Sequence, residues 1–386
     1  MSTFNFSPTV LKWAANNINI SWEDLADEII TAKTKRKERL EAAYKGILTI
    51  RQAEKVSKKT NTPFGFLFLD TPPEIENRSL PDLRTTSKST PLSNDFYETL
   101  EDIYKKIDWY KELLQSEGEL EKLSFVKKFT LTNTLSPPEV AKDIQDTIEI
   151  PHDFFKECNR TNYYNALVNK IENIGVFVFT NGVVKNNPRR KLNTEEFRGF
   201  AIADKYVPAV FVNNADSLSA QIFTLIHEIA HIWIGESGIS DLSDHNNIES
   251  FCNKVSAEFL MPTKLFTKKW NQEFNKTSVY ETISSIADYF KVSVFAAAIK
   301  AKNLNLIKQT TVNDIKMESI RIYRMRKKGS GGNFYATLPL RNSKRLSKII
   351  VNQAVSRKIL LRDAASMLNA KPDTVMQLYL RREEKR

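Results

Sequence analysis

The chain has 386 residues, of which 41% are hydrophobic and 27% charged, values ordinary for a globular protein and enough for at least two domains with their own cores. No run approaches the roughly 18 apolar residues of a membrane span, MSTFNFSPTVLKW lacks the charged-then-apolar pattern of a secretory leader, and Cys158 and Cys252 lie far apart. These features argue against a membrane protein and a disulfide-framed secreted one, and predict a cytoplasmic protein.

Only 11 residues are glycine, which favours helices over tight turns. The net charge of +11 is uneven: Arg321 to Arg386 carries seventeen Lys/Arg against four Asp/Glu, a surplus larger than that of the whole chain. Such a tail suits an acidic partner, nucleic acid or an acidic protein face, and equally a solvated helical surface.

In chain order, residues 8–60 read as short helices. Ser21 to Asp24 is a capping-box pattern, with Leu25, Ile29 and Ile30 as the apolar face behind it. Lys33 to Arg39 is a basic helix start ahead of Leu40, Ala43, Tyr44 and Ile47, the pattern of a groove-entering helix and of any exposed one. Pro63 stops the helix marked by Ala53 and Val56, and Phe64, Phe66, Leu67 and Phe68 form an apolar cluster that closes a first module over 1–73. Residues 74–95, rich in Ser, Thr, Pro and Asn, read as a linker.

Helical periodicity returns over 96–150, at Phe96, Leu100, Ile103 and Ile107 and, after Ser136-Pro137-Pro138, at Ala141, Ile144 and Ile148. These helices are read as a support for a core over 151–270. Asn173–Phe179, Arg198–Asp204 and Ala209–Asn213 have the β-branched and aromatic content of strands, which predicts a small sheet. Beyond the core, Tyr280 to Leu306 holds two short helices broken at Lys291-Val292-Ser293, with helix-turn-helix spacing, inside a helical extension over 271–328. Gly329 to Gly332 marks a boundary and lacks the Lys-Ser/Thr ending of a phosphate-binding loop, which argues against a nucleotide there. Residues 329–386 form a basic helical C-terminal module.

The stretch that organises the chain is Gln221 to Gly235, QIFTLIHEIAHIWIG. His227 and His231 lie four apart on a helix of roughly 3.6 residues per turn, so both imidazoles leave one face and can grip one metal ion, best zinc. The chain has four histidines in all, which makes this pairing around a glutamate hard to ascribe to chance. A catalytic zinc takes three protein ligands and keeps a position for water. Glu228 points about 100° away from His227 and suits the role of proton acceptor rather than ligand. A third ligand ten residues after the first histidine would fall on Ser237, which cannot serve, leaving Asp241, Asp244, His245, Glu249 and Glu258. Glu249 heads a helical segment with Phe251, Val255 and Phe259 on its apolar stripe, and a helix packed there would lay its carboxylate over both imidazoles. Asn253, one turn on, is placed to orient an imidazole. His245 is the rival ligand.

With these residues assembled, the chain resembles the ImmA/IrrE metallopeptidases: FTLIHEIAHIWIG at Phe223 to Gly235, RGFAIAD and PAVFVNN upstream, and Glu249, Asn253 and the ending AEFLMP downstream. Cys252, Val255 and Ser256 depart from the family's Ala, Phe and Ala. The first module resembles a degenerate XRE-type helix-turn-helix, its usual signature reduced to Tyr44-Lys45-Gly46. The resemblance implies an α+β, helix-rich fold with a zincin-like core, in which a small β-sheet packs on the HExxH helix between helical, helix-turn-helix-like modules. It implies His227, His231 and Glu249 as ligands of Zn2+ and Glu228 as general base. It further implies a cytoplasmic endopeptidase acting on a repressor or antitoxin-like protein encoded nearby, with Arg198–Asp204 open to strand addition by substrate. The competing expectation is a regulator or antitoxin that binds DNA or a toxin, its metal site non-catalytic.

Overall fold

The computed structural model describes residues 3–16, 18, 20–31, 34–60, 62–73, 80, 92–151, 153–240, 247–274, 277–325 and 333–383. They fall into two units, Met1–Ser79 with Pro91–Glu101, and Leu80–Thr90 with Asp102–Arg386. Gly329 to Gly332 and most of 74–95 lie outside the described residues.

In the first unit, strand β1 (Thr3–Asn5) is followed by helices α1 (Pro8–Asn16), α2 (Trp22–Ile29) and α3 (Arg36–Tyr44), strand β2 (Ile47–Thr49) and helix α4 (Ile50–Thr60). Ser21 caps α2 by accepting the Asp24 N–H at 3.1 Å, satisfying one of the helix's orphan donors. Trp22, Leu25 and Ile29 of α2 meet Val10, Leu11, Ala53, Val56 and Leu67 in one core. The antiparallel pair β1–β2, with Phe4 opposite Leu48, is absent from the predicted elements because three-residue strands show no alternation to read. The apolar face read into α3 is thinner than expected: Ala43 is its one buried residue.

The division between units falls within α5 (Asn94–Glu117), and the second unit continues with α6 (Pro137–Thr147) and α7 (Arg160–Asn173). Pro137 and Pro138 occupy the first turn of α6, where a missing N–H costs nothing. A four-stranded sheet follows, built from β3 (Phe177–Asn181), β4 (Gly199–Ile202), β5 (Ala209–Asn213) and β6 (Gly238–Ser240) in the order β3-β5-β4-β6. Strands β3 and β5 run parallel, with Phe177 opposite Ala209, and β4 is antiparallel to both its neighbours. The first strand begins at Phe177 rather than Asn173 because α7 continues through Asn173. One expectation is corrected here. The strand within Arg198–Asp204 is not an open edge, since Phe200 pairs with Phe211 on one side and Ile239 on the other.

Helix α8 (Leu218–Ile234) packs under β4 and β5, and α9 (Asn247–Leu260) packs on α8 and α6. Helices α10 (Thr263–Glu273), α11 (Val279–Phe290), α12 (Val294–Asn303) and α13 (Gln309–Met325) follow. Ser278 and Glu281 form a complete capping box at the start of α11. Helices α11 and α12 bend by 108° where Lys291 takes a left-handed φ of 64°, at the break read from sequence. The chain ends in α14 (Phe334–Arg341), α15 (Lys344–Val355), α16 (Leu361–Met367) and α17 (Pro372–Glu383), with α14 and α15 seated on β3 and α15 also on α7. The fold is thus helix-rich α+β. Among the described residues no single helix is long and apolar enough to cross a membrane.

Candidate metal centre

Helix α8 begins at Ser217, whose hydroxyl accepts the Ala220 N–H at 3.3 Å, and ends at Gly235, whose φ of 72° is the left-handed cap that glycine adopts without strain. Between them Ile222, Leu225, Ile226, Ile229, Ile232 and Trp233 are all buried, so α8 is surrounded by protein. Its rotation is fixed at the C-terminal end. Lys127 and Phe129 donate backbone N–H groups to the carbonyls of Ile232 and Trp233 at 3.0 and 3.1 Å. The Trp233 indole donates to Asp143 at 2.7 Å and stacks on Phe125 with ring centroids 4.7 Å apart. Helix α9 is held against α6 by Gln145, whose amide donates to the Phe259 carbonyl at 3.2 Å, and by the buried Cys252, Val255 and Phe259.

This packing lays the first turn of α9 across α8. Glu249 Oε2 lies 3.1 Å from His227 Nε2, Glu249 Oε1 lies 3.1 Å from His231 Nε2, and the two Nε2 atoms are 3.1 Å apart. None of the three residues has exposed surface, and their ligand atoms lie within 4.8 Å of one another. Burial disfavours charge on His231 and lowers its pKa below 6.5 despite the carboxylate beside it. Burial alone would raise the pKa of Glu249, but the imidazole contacts outweigh it and hold the group at about 2.

Protons do not satisfy all three contacts of this triangle at once. If both Nε2 atoms carry hydrogen, each donates to its own carboxylate oxygen and the two nitrogens stand 3.1 Å apart with no hydrogen bond between them; if only one or neither does, at least one contact sets lone pair against lone pair. A cation among the three atoms removes the conflict, and two imidazoles with a carboxylate are a donor set that zinc accepts. Cys252, buried one turn on from Glu249, is not in the group of ligand atoms gathered within 4.8 Å, which among the described residues consists of His227, His231 and Glu249.

The remaining sequence candidates fall elsewhere. Asp241, Asp244 and His245 lie outside the described residues. Glu258 is engaged away from the imidazoles, accepting the backbone N–H and hydroxyl of Thr263 at 2.9 and 2.7 Å and the Lys300 ammonium at 2.6 Å. Ser237 accepts the Ala203 N–H at 2.9 Å, a link between α8 and the sheet.

Glu228 is also fully buried, and it lies against β4 at Gly199. A Cβ at Gly199 would stand 2.7 Å from Glu228 Oε1, 2.6 Å from Thr224 Cγ2 and 2.8 Å from the Phe211 carbonyl oxygen. Gly199 is therefore part of the site, although the sequence reading passed over it. The available signal was an isolated glycine inside a strand pattern, which marks the close approach of another group.

Residues 171–302 match the family model described as the IrrE N-terminal-like domain, of the M78 peptidases, a span from the end of α7 through α12 that includes His227, Glu228, His231 and Glu249. Residues 342–382 match a domain of unknown function, DUF8813. No curated protein matches the chain.

Proposed function

We propose that residues 171–302 act as a zinc-dependent endopeptidase on a regulatory protein, a repressor or antitoxin-like partner encoded nearby. The observation that carries this reading is the triangle of His227, His231 and Glu249, which calls for a cation and offers zinc ligands. When bound, such an ion supplies Lewis acidity toward a water molecule and a peptide carbonyl. His227, His231 and Glu249 hold it. Glu228 accepts the proton of the attacking water and returns it to the leaving amine, and Gly199 provides the space that its carboxylate occupies. Because β6 covers the outer side of β4, an extended substrate adds to β6 or takes its place.

The test is to incubate the purified protein with zinc and the product of the adjacent regulator gene and to map fragments by mass spectrometry. Glu228→Gln should retain its zinc and lose cleavage by about 10²- to 10⁴-fold. Equal cleavage by both forms would remove Glu228 from the mechanism.

One observation favours a second reading, a regulator or antitoxin with a non-catalytic metal site: His227, Glu228, His231 and Glu249 have no exposed surface, so a peptide bond cannot reach them in this conformation. That reading expects a stable, uncleaved complex with a neighbouring gene product, or a specific gel shift on the protein's own promoter that weakens with salt.

A further inference from the structure

We propose that α16, the turn after it and α17, with the hairpin over residues 183–191 beside them, form a binding surface for duplex DNA. This surface is independent of the metal centre. Helices α15, α16 and α17 all touch one another and carry the buried side chains Leu346, Ile350, Ala364, Ala365 and Val375. Their order is that of a helix-turn-helix: seven residues of α16, a turn over 368–371, and twelve residues of α17. So tight a turn calls for a residue with positive φ, and Asn369 supplies it at 51°, a conformation that asparagine tolerates better than most side chains.

In this motif the second helix lies in the major groove and reads base edges with its outward face. On α17, Asp373, Met376, Gln377 and Leu380 stand three, one and three apart, so they share one helical face, and all four are exposed. Gln377 carries the paired donor and acceptor that match adenine, and Asp373 the acceptor that matches the cytosine amine. Met376 and Leu380, 38% and 48% exposed, offer apolar contact to the C5-methyl groups of thymine.

A hairpin stands beside this motif. Val183 and Lys191 form an antiparallel bridge, the Val184 N–H donates to the Arg190 carbonyl at 2.9 Å, and the Asn181 amide donates to the Lys185 carbonyl at 2.6 Å. Asn186, in its turn, donates to the carbonyls of Leu368 and Asn369 at 3.1 and 2.6 Å. The hairpin is thereby fixed against the turn that leads into α17, two residues before Lys371. Between Gly182 and Leu192 it holds Lys185, Arg189, Arg190 and Lys191 and no acidic residue. Arg189, Lys191 and Lys371 are exposed and, among the described residues, enter no ion pair. Exposed cations flanking a groove-reading helix suit the phosphates on either side of the groove, whose condensed counterions they release. An acidic protein face would neutralise these cations but has no ordered row of base edges and methyl groups to meet α17.

The experiment is fluorescence anisotropy of the full chain with a labelled duplex pool of about 24 base pairs, randomised at its centre, between about 50 and 200 mM salt. The bound fraction is then sequenced. The expected result is binding that weakens steeply with salt, and an enriched sequence. Arg189→Glu/Lys191→Glu, at exposed positions, should keep the native circular dichroism and melting temperature. It should weaken binding more than about tenfold and reduce the salt slope by about two. Gln377→Ala should hold pool affinity within about twofold and change the base enriched at one position. Lys37→Glu/Arg39→Glu, on α3 of the first unit, should bind as the native chain does. The proposal is overturned if the pool does not bind at the lowest salt, if the hairpin variant binds as well as the native chain, if the α3 variant is the one that loses binding, or if Gln377→Ala selects the same sequence. No readout involves cleavage or metal, so failure here and failure of the peptidase reading are distinguishable.

Discussion

At the residue scale, the close approach of Gly199 to Glu228 allows the proposed proton acceptor to be tested apart from the proposed metal ligands. Gly199→Ala would press a methyl group against the Glu228 carboxylate, the Thr224 methyl and a carbonyl of β5. The backbone oxygen cannot yield, so the expected cost is about 1–3 kcal/mol of stability. Zinc content should stay native, because the ligand triangle stands on α8 and α9. Elemental analysis beside the cleavage assay checks this, and a variant that lost zinc as well would place Gly199 in support of the triangle itself. The pH dependence of the metal-free protein follows from the same residues. The pKa of His231 lies below 6.5 in the folded state, so as pH falls through 6.5 the unfolded chain takes up the proton first and stability declines. Glu249, held at about 2, acts in the same direction: its contribution is complete above 4.5 and is lost on the way down toward 2. Melting temperatures of chelator-treated protein should be flat above pH 7 and fall below 6.5, and a rise between pH 7 and 5.5 would contradict the assignment.

At the scale of elements, a buried ion pair joins α9, α10 and α12. Lys300 is 8% exposed and gives its ammonium to Glu258 and to the Thr263 hydroxyl, at 2.6 and 2.9 Å. Glu258→Ala leaves that cation buried without its counter-charge, which costs about 3 kcal/mol or more, whereas Glu258→Ala with Lys300→Met should recover most of the loss. Denaturant melts of the single and double variants measure this; a double variant no better than the single one would mean that Glu258 acts through Thr263 alone. The pair also shows what the sequence could carry. His227 and His231 were legible because four residues on one helix fix their relation locally, and the segment from Glu249 could be read as a second helix from its apolar stripe. Glu258 remained a candidate ligand because its partner lies 42 residues away, and no periodicity encodes which way a partly exposed carboxylate turns. Strand β6 was invisible for a related reason: three residues carry no pattern, and their pairing is decided by β4, which lies upstream.

At the scale of the whole molecule, the basic C-terminal helices look dispensable from their charge and are not so in their contacts. Asn186, in the turn after β3, donates to the carbonyls of Leu368 and Asn369 at 3.1 and 2.6 Å and accepts from Arg341 at 3.2 Å. Glu172, on α7, is 4% exposed and accepts the Ser343 hydroxyl at 2.5 Å, while Arg345 donates to its backbone carbonyl at 2.9 Å. Asn369 donates to Asp102 at 3.0 Å, and Asp102 also holds the buried Lys106 in an ion pair. Leu338, fully buried on α14, adds apolar contact where that helix sits on β3. Polar ties of this kind contribute about 1 kcal/mol each, and in a unit of this size each kcal/mol moves the melting temperature by about 2–4 °C. Removing residues 333–386 should therefore lower the melting temperature of the remaining chain by roughly 10 °C or more, before any loss of apolar burial is counted. Calorimetry of the truncated chain beside the full one gives the answer. An unchanged transition would make these helices a separable attachment; a fall of the expected size makes them part of the framework that carries the metal centre.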